Sequence, residues 1–341
     1  MIVLGWDIGG AHLKLAQVRD GTVADVRVEP CPLWQGMAHL HSAMDRALAG
    51  QPRADRHAVT MTGELTALFA DRAEGVRAIL DAAGERLGTA SLDVYAVAGG
   101  FLSAEVAHAA PERVASANWH ATAALAARLL GDGMLVDIGS TTTDFVPFRA
   151  GTVAARGHDD AARLALGELV YSGVVRTPVM AMAQTLPFAG AEIGVMAEYF
   201  ATSGDVHRLT GALPEGADLH PTADNRGKSV PESRARLARM IGRDAAAAPE
   251  ADWAALAFAL TARQLFQLEC ACQRVLSGVS LPEEAPLIGA GIGRFLMAEL
   301  ARRLRRPYRD FASLIAAPDG IAAAAADAAP AVAVALLRTL A

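Results

Sequence analysis

Apolar and polar positions along the chain fall into short continuous runs and helical stripes. Ile2–Leu4 and the run MLVDI at 134–138 are apolar stretches of strand length, the pattern of strands covered on both faces. MLVDI leads straight into Gly-Ser-Thr-Thr-Thr-Asp and returns as FVPF, so residues 134–148 predict a hairpin. Residues 2–18, IVLGWDIGGAHLKLAQV, repeat the plan: an apolar strand, Asp7, a turn at Gly9-Gly10, and a returning segment that carries Lys14. The two Asp-Ile-Gly units lie about 130 residues apart and predict a duplicated architecture, two hairpins facing each other across a cleft.

The remaining pattern alternates strands and helices. Short strands run to Pro30 with a turn at Asp20-Gly21, and residues 34–48 have helical spacing, with His39 and His41 diverging on that helix. Residues 57–61 read as a strand that ends at Thr62-Gly63-Glu64-Leu65, followed by a helix. A strand at 92–98 precedes Gly99-Gly100, and 116–130 reads as an apolar helix with Ser116 and Asn118 as cap candidates. Further on come a helix from about Asp159, an extended stretch from Arg176-Thr177-Pro178, and a helix at 191–210. A loop at 211–233 is rich in Pro, Gly, Asp and Asn, and helices are expected at 233–247 and 251–277. Pro286–Ile288 predicts a short strand, Gly289–Gly293 a glycine turn, and Phe295–Leu304 a helix.

A chain of 341 residues suits two domains, expected at 1–120 and 121–341, with a helical insertion at about 155–285 and the last helix packing back on the first domain. A hydrophobic content of 52 % supports a packed core. Net charge −6 and pI near 5.9 leave no basic footprint, so no nucleic-acid partner is expected. Arg302, Arg303, Arg305, Arg306 and Arg309 read as the solvated end of a helix. Cys31, Cys270 and Cys272 form neither a disulfide framework nor a zinc knuckle, which suits a reduced, cytoplasmic setting. No signal peptide is expected, because the first ten residues already make a strand and a turn. No membrane span is expected either, since Asp327 and Pro330 interrupt the Ala-rich tail. Self-association is left open.

The turns carry the candidate chemistry. Small residues at Gly9-Gly10 and at Gly139, Ser140, Thr141, Thr142 and Thr143 let backbone N–H groups approach phosphate oxygens and form an anion nest. Structural turns of the same composition are common, so the turn alone leaves both readings open. Asp7, Asp137 and Asp144 flank the turns, and carboxylates beside phosphate call for Mg²⁺ between them. Gly289, Gly291 and Gly293 between strand and helix suit a nucleotide or diphosphate at a helix N-terminus. They lack the spacing and the downstream acid of a dinucleotide site. Glu64 sits at a strand-to-helix junction, where it reads as an active-site carboxylate or as a first-turn acid favoured by the helix dipole. Asp71 and Arg72 follow it.

These glycine turns come in an order that resembles the actin-like ATPase and sugar-kinase superfamily: Asp7–Lys14 resembles the first phosphate loop, Asp137–Asp144 the second, and Gly289–Gly293 the adenosine loop. The resemblance implies an α/β fold of two ribonuclease-H-like domains flanking a cleft, with ATP or ADP as an occupant to test. The threonine of the first loop is Ala11 here, which weakens the case for ordinary ATP chemistry. The set DIGGAHLKLA, MTGELTALFADRAEGV, SANWHATA, VDIGSTTTDFVPF, ELVYSGVVRTP, ATSGDVHRLTG and LIGAGIGRFL is more specific. It resembles hydantoinase/oxoprolinase-related proteins of tetrahydromethanopterin-linked C1 transfer.

That resemblance implies a transferase of methanofuran or methylofuran biosynthesis, which joins the phenol of γ-glutamyltyramine to an aminomethylfuran methyl diphosphate and releases pyrophosphate. The expected partners are therefore small molecules, a furan diphosphate and a tyramine derivative. An ATP-dependent kinase or amidohydrolase-like enzyme is the alternative. In this scheme Gly9, Gly10, residues 139–143 and Lys14 hold the diphosphate, and Asp7, Asp137 and Asp144 position Mg²⁺. Glu64 is the first candidate base for the phenol and Asp71 the second, while Asn118, Arg72, Arg176 and Lys228 are candidates for substrate contacts.

Overall fold

The computed structural model describes residues 1–97 and 100–341. The first unit begins with strands β1 (Ile2–Ile8), β2 (His12–Arg19) and β3 (Thr22–Pro30), then helix α1 (Met37–Leu48). Strand β4 (Arg56–Met61), helix α2 (Arg72–Leu87), strands β5 (Leu92–Tyr95) and β6 (Phe101–Ser103), and helices α3 (Ala104–Ala109) and α4 (Asn118–Leu130) follow. The second unit opens with β7 (Gly133–Ile138), β8 (Thr143–Arg149), β9 (Thr152–Val153), α5 (Asp160–Leu166) and β10 (Leu169–Val170). An insertion then supplies β11 (Thr185–Phe188), β12 (Ala191–Gly194), α6 (Ser203–Leu209), α7 (Val230–Arg239) and α8 (Glu250–Ser277). The chain closes with β13 (Leu287–Ala290), α9 (Met297–Leu304), β14 (Tyr308–Asp310), α10 (Asp319–Asp327) and α11 (Ala329–Thr339).

Two mixed sheets result, ordered β3-β2-β1-β4-β5-β6 and β10-β8-β7-β13-β14. In each, a hairpin is followed by parallel strands reached through helices, the two-unit α/β plan expected from the sequence. The apolar runs are explained by their surroundings, because helices cover both faces of the central strands. Along β1, Leu4, Trp6 and Ile8 point into a core with α1 and α2, while Val3 points to the opposite face, against α4 and α11. Along β7, Met134, Val136 and Ile138 pack with α8 and α9, while Leu135 joins the α4–α11 core. The strand period of two therefore sends Asp7 and Asp137 to the inner face shared by both sheets.

Helix α11 does return to the first sheet. A Cβ on Gly5 would lie 2.0 Å from the Ala331 carbonyl oxygen, so only glycine lets the helix backbone sit on β1. Arg338 of α11 also donates to Asp93 of β5 at 2.6 Å. Helix α4 is one continuous element that packs against α11 and joins a core shared by strands of both sheets.

Several local expectations are corrected. The stretch 191–210 is not one helix: Ala189 (φ 49°) and Gly190 (φ 80°) make a tight hairpin turn between β11 and β12, and α6 begins only at Ser203. Helix α7 starts earlier than 233, because Ser229 and Glu232 form a capping box, and it ends at Arg239, shortly before Gly242 (φ 68°). Strand β5 stops at Tyr95, and Ala98 and Gly99 lie outside the described residues. The insertion has its own core around Trp253, Leu237 and Phe188. Among the described residues no single helix is long and apolar enough to cross a membrane; α10 and α11 pass such a test only as a pair bent by 106°.

Candidate active site

The two predicted hairpins match in detail. The Gly9 N–H donates to the His12 carbonyl at 3.0 Å, and the Gly139 N–H donates to the Thr142 carbonyl at 2.8 Å. Cross-strand pairing sets Asp7 opposite Lys14 and Asp137 opposite Asp144. A side chain at Gly10 would strike Thr66, so the backbone stays open there. The second hairpin is clamped by the following segment: the Val175 and Arg176 N–H groups both donate to the Ser140 carbonyl, at 3.1 and 2.8 Å. Gly173 allows this approach, since a Cβ there would lie 2.5 Å from Ser140.

A cavity of about 480 Å³ opens between the hairpins. Its floor is polar: Asp7, Gly9, Gly10, Lys14, Asp137, Gly139, Ser140, Thr141, Thr142 and Asp144. Its walls include Trp34, Leu65, Trp119 and Tyr171, with Ser116, Asn118, Asp160, Arg163 and Arg176 among them. A polar floor with aromatic side chains in the same lining suits a ligand with a charged end and an aromatic body.

The floor is electrostatically tense. Lys14 Nζ lies 3.4 Å from Asp7 Oδ2, and the other oxygen of Asp7 is buried without a partner among the described residues. Burial pushes the Asp7 carboxyl upward, with Lys14 pulling against it. Burial lifts Asp137 to about 7, again opposed by Lys14 and reinforced by Asp144 and Asp7. Burial alone would lower Lys14, but Asp7 and Asp137 outweigh it and hold the ammonium above its usual range. Asp144 is raised by burial and restrained by Arg163, whose Nη2 lies 2.9 Å away. Arg163 itself is buried, with its guanidinium carbon 3.9 Å from the Trp119 ring centre.

Among the described residues no three His, Cys, Asp or Glu side chains converge tightly enough to hold a metal by themselves. The orphaned Asp7 oxygen and the buried Asp137 carboxyl near it fit a cation that takes one or two protein carboxylates and completes its shell with phosphate oxygens and water, the usual habit of Mg²⁺.

Glu64 lies on a short turn after β4 and is 1 % exposed. Its Oε1 accepts a 2.7 Å hydrogen bond from Ser116 Oγ, and its Oε2 has no partner among the described residues. Burial raises its carboxyl, with the Ser116 bond opposing. Ser116 lines the cavity and holds a left-handed φ of 48°, a strained conformation of the kind concentrated at functional sites. As a cap candidate Ser116 was misread: its hydroxyl serves Glu64.

Other candidates fall elsewhere. Asp71 is exposed and caps α2, accepting from the Glu74 N–H at 2.8 Å. Lys228 is tied to Asp218 at 3.1 Å, outside this cavity. Thr143 is buried, and its hydroxyl donates to the Ser172 carbonyl at 2.6 Å, so it faces away from the floor. Gly289 belongs to β13, where it makes room for Met297 and Tyr308, and is not part of the turn. Gly291 (φ 79°) sits against Asp137 and lines a second cavity of about 160 Å³ that shares His12, Lys14, Gly139 and Ser140 with the first. Asn118 and Arg176 do line the main cavity, Arg176 lying 5.2 Å from the Trp34 ring centre. Arg72 pairs with Asp160 across the two units. Trp34, Trp119, Arg163 and Tyr171 were missed as site residues, although Trp119 and Tyr171 lie in the stretches SANWHATA and ELVYSGVVRTP that carry the family resemblance.

Two ribonuclease-H-like units around a cleft floored by paired hairpins define the actin-like ATPase and sugar-kinase class of folds. The chain belongs to the hydantoinase/oxoprolinase family, which matches residues 55–331. It is similar to the (4-{4-[2-(gamma-L-glutamylamino)ethyl]phenoxymethyl}furan-2-yl)methanamine synthase of Methanocaldococcus jannaschii, at 32 % identity over 72 % of each chain. The synthase of the same name from Methanococcus vannielii is 33 % identical over 33 % of this chain and 50 % of its own. A solved nucleotide-free acetone carboxylase covers 87 % of this chain and 66 % of its own, with a TM-score of 0.51 at 14 % identity, a likeness of fold alone.

Proposed function

We propose that the protein is an aryl-ether-forming transferase of furan-cofactor biosynthesis. It joins the phenol oxygen of a tyramine-type acceptor to the methylene carbon of an aminomethylfuran methyl diphosphate. One observation carries the reading: Lys14 lies between Asp7 and Asp137 beneath two matched hairpins, a floor suited to diphosphate, and aromatic walls rise directly above it. The name of the M. jannaschii relative describes a product with that phenoxymethyl-furan linkage.

In this reading the backbones of Gly9, Gly10 and Gly139–Thr142 hold the diphosphate oxygens, and Lys14 neutralises their charge. Asp7 and Asp137 would hold Mg²⁺, which supplies Lewis-acid stabilisation of the leaving diphosphate. Asp144 is turned toward Arg163 and shapes the floor from behind. The carbon–oxygen bond to diphosphate breaks, the electron-rich furan supports the positive charge that develops on the methylene, and the phenol oxygen forms the new bond. A phenol has an ordinary pKa of about 10, so a base contributes roughly 10²–10⁴-fold. Ser116 lines the cavity and donates to Glu64, so its hydroxyl can take the phenol proton while passing its own to the buried carboxylate.

ATP chemistry is the second reading, favoured by the smaller cavity beside Gly291 that opens from the same hairpins. Purified protein incubated with γ-glutamyltyramine, the furan diphosphate and Mg²⁺ separates the two. The transferase forms the ether and one pyrophosphate per turnover; neither product, together with ATP hydrolysis, overturns it.

A further inference from the structure

The cleft has a charged rim as well as a charged floor. Arg72, at the start of α2 in the first unit, reaches across to Asp160, at the start of α5 in the second. Asp160 lines the main cavity beside Tyr171, and the pair stays partly in solvent, with side chains 34 % and 16 % exposed. Among the described residues this is the one hydrogen bond either side chain makes, through a single Arg72 nitrogen and a single Asp160 oxygen. The remaining guanidinium N–H groups and the second carboxylate oxygen are unused. The ion pair that fastens α11 to the first sheet is different: there Asp93 takes two bonds from Arg56 and a third from Arg338. A pair with spare donors on one side, spare acceptors on the other and a cavity beneath it matches a zwitterion of opposite polarity. A carboxylate would bind the guanidinium while an ammonium bound the aspartate.

We propose that the Arg72–Asp160 pair receives a zwitterionic α-amino acid end group on the phenol acceptor, and so sets acceptor specificity. This rests on the transferase reading above. The product named for the M. jannaschii relative carries such a group, because a γ-linked glutamate leaves its α-amine and α-carboxylate free. Tyrosine presents the same group closer to the phenol, so both acceptors share the chemistry. Ser116, Tyr171 and Asp160 line the same cavity, so one acceptor with its hydroxyl at Ser116 can carry its substituent to the rim. The pair is a specificity element: it holds the far end of the acceptor and touches no reacting atom. Arg176 faces the Trp34 ring and Lys228 is committed to Asp218, so neither offers this double match.

The test compares γ-glutamyltyramine, tyrosine and tyramine as acceptors at saturating furan diphosphate, in the wild type, Asp160→Asn and Arg72→Gln. Tyramine has the phenol but no amino acid group. The kcat/KM ratio of the preferred zwitterionic acceptor over tyramine should fall about tenfold or more in each variant, mainly through KM, as expected for loss of a charge-assisted hydrogen bond. The acceptor that loses most identifies the group the rim holds. A ratio within about twofold of wild type in both variants, or an equal loss for every acceptor with a lowered melting temperature, reduces the pair to a clasp between the units and overturns the proposal. If one variant fails to fold, the ratio in the other decides. Ether formation by the wild type from tyramine alone, with neither zwitterion preferred, overturns the proposal and leaves the transferase intact, whereas no ether from any phenol removes both.

Discussion

Replacing Ser116 by Ala tests how the buried carboxylate is tuned. The Ser116 hydroxyl donates to Glu64 Oε1 at 2.7 Å and is the largest influence restraining a carboxyl that burial pushes upward, with the Arg72 charge a smaller one. A hydrogen bond to a charged group contributes about 1.5–3 kcal/mol, and one pH unit corresponds to about 1.4 kcal/mol. Its loss should therefore lift Glu64 by roughly 1–2 pH units. The base works only when ionised, so the acid limb of kcat/KM should move up by that amount, and the rate on the plateau should drop as the relay is removed. A second readout needs no turnover. A carboxyl raised in the folded state adds stability below its unfolded value of 4.5, and that stability is lost as pH rises through the folded value. Melting of the Ala variant should fall more steeply with rising pH than that of wild type, and melting of Glu64→Gln less steeply. Ala150 (φ 50°) and Ala189 (φ 49°) hold the same left-handed backbone as Ser116 (φ 48°) elsewhere in the chain, so alanine is compatible with that conformation. An acid limb that stays put, together with three parallel melting profiles, would refute the Ser116–Glu64 coupling.

Three further outcomes are expected. Asp137→Asn should abolish turnover and weaken Mg²⁺-dependent diphosphate binding, read by calorimetry; a fully active variant refutes the floor assignment. Arg163→Met should cost about 3–5 kcal/mol in denaturant titration, because it strands Asp144 beside a cavity with no counter-charge; a loss below about 1 kcal/mol would mean that water already serves Asp144. Gly5→Ala should cost at least about 3 kcal/mol, because its Cβ would meet the Ala331 carbonyl at 2.0 Å; near-wild-type melting would show that α11 does not rest on β1.

Much of the fold was written in local pattern. The Asp-Ile-Gly units at Asp7 and Asp137 reported both central strands, because strands covered on both faces need continuous apolar runs and the turns after them need small residues. The return of the last helix was foreseen, though its reason, Gly5 beneath Ala331, is a contact between residues 326 positions apart. The stretch 191–210 was misjudged because a two-residue turn at Ala189-Gly190 outweighed apolar spacing.

By itself the sequence determined the two hairpins, the three acids at their ends and Glu64, since each depends on a short run of residue types whose turn chemistry is local. Only the tertiary structure decided what those groups do. It turned Asp144 toward Arg163, buried Thr143 against Ser172 and gave Glu64 a serine partner from 52 residues away. It also gathered Trp34, Trp119 and Tyr171 into one wall and set Arg72 against Asp160. Charge pairing and desolvation depend on distance in space, and chain order alone does not encode that distance.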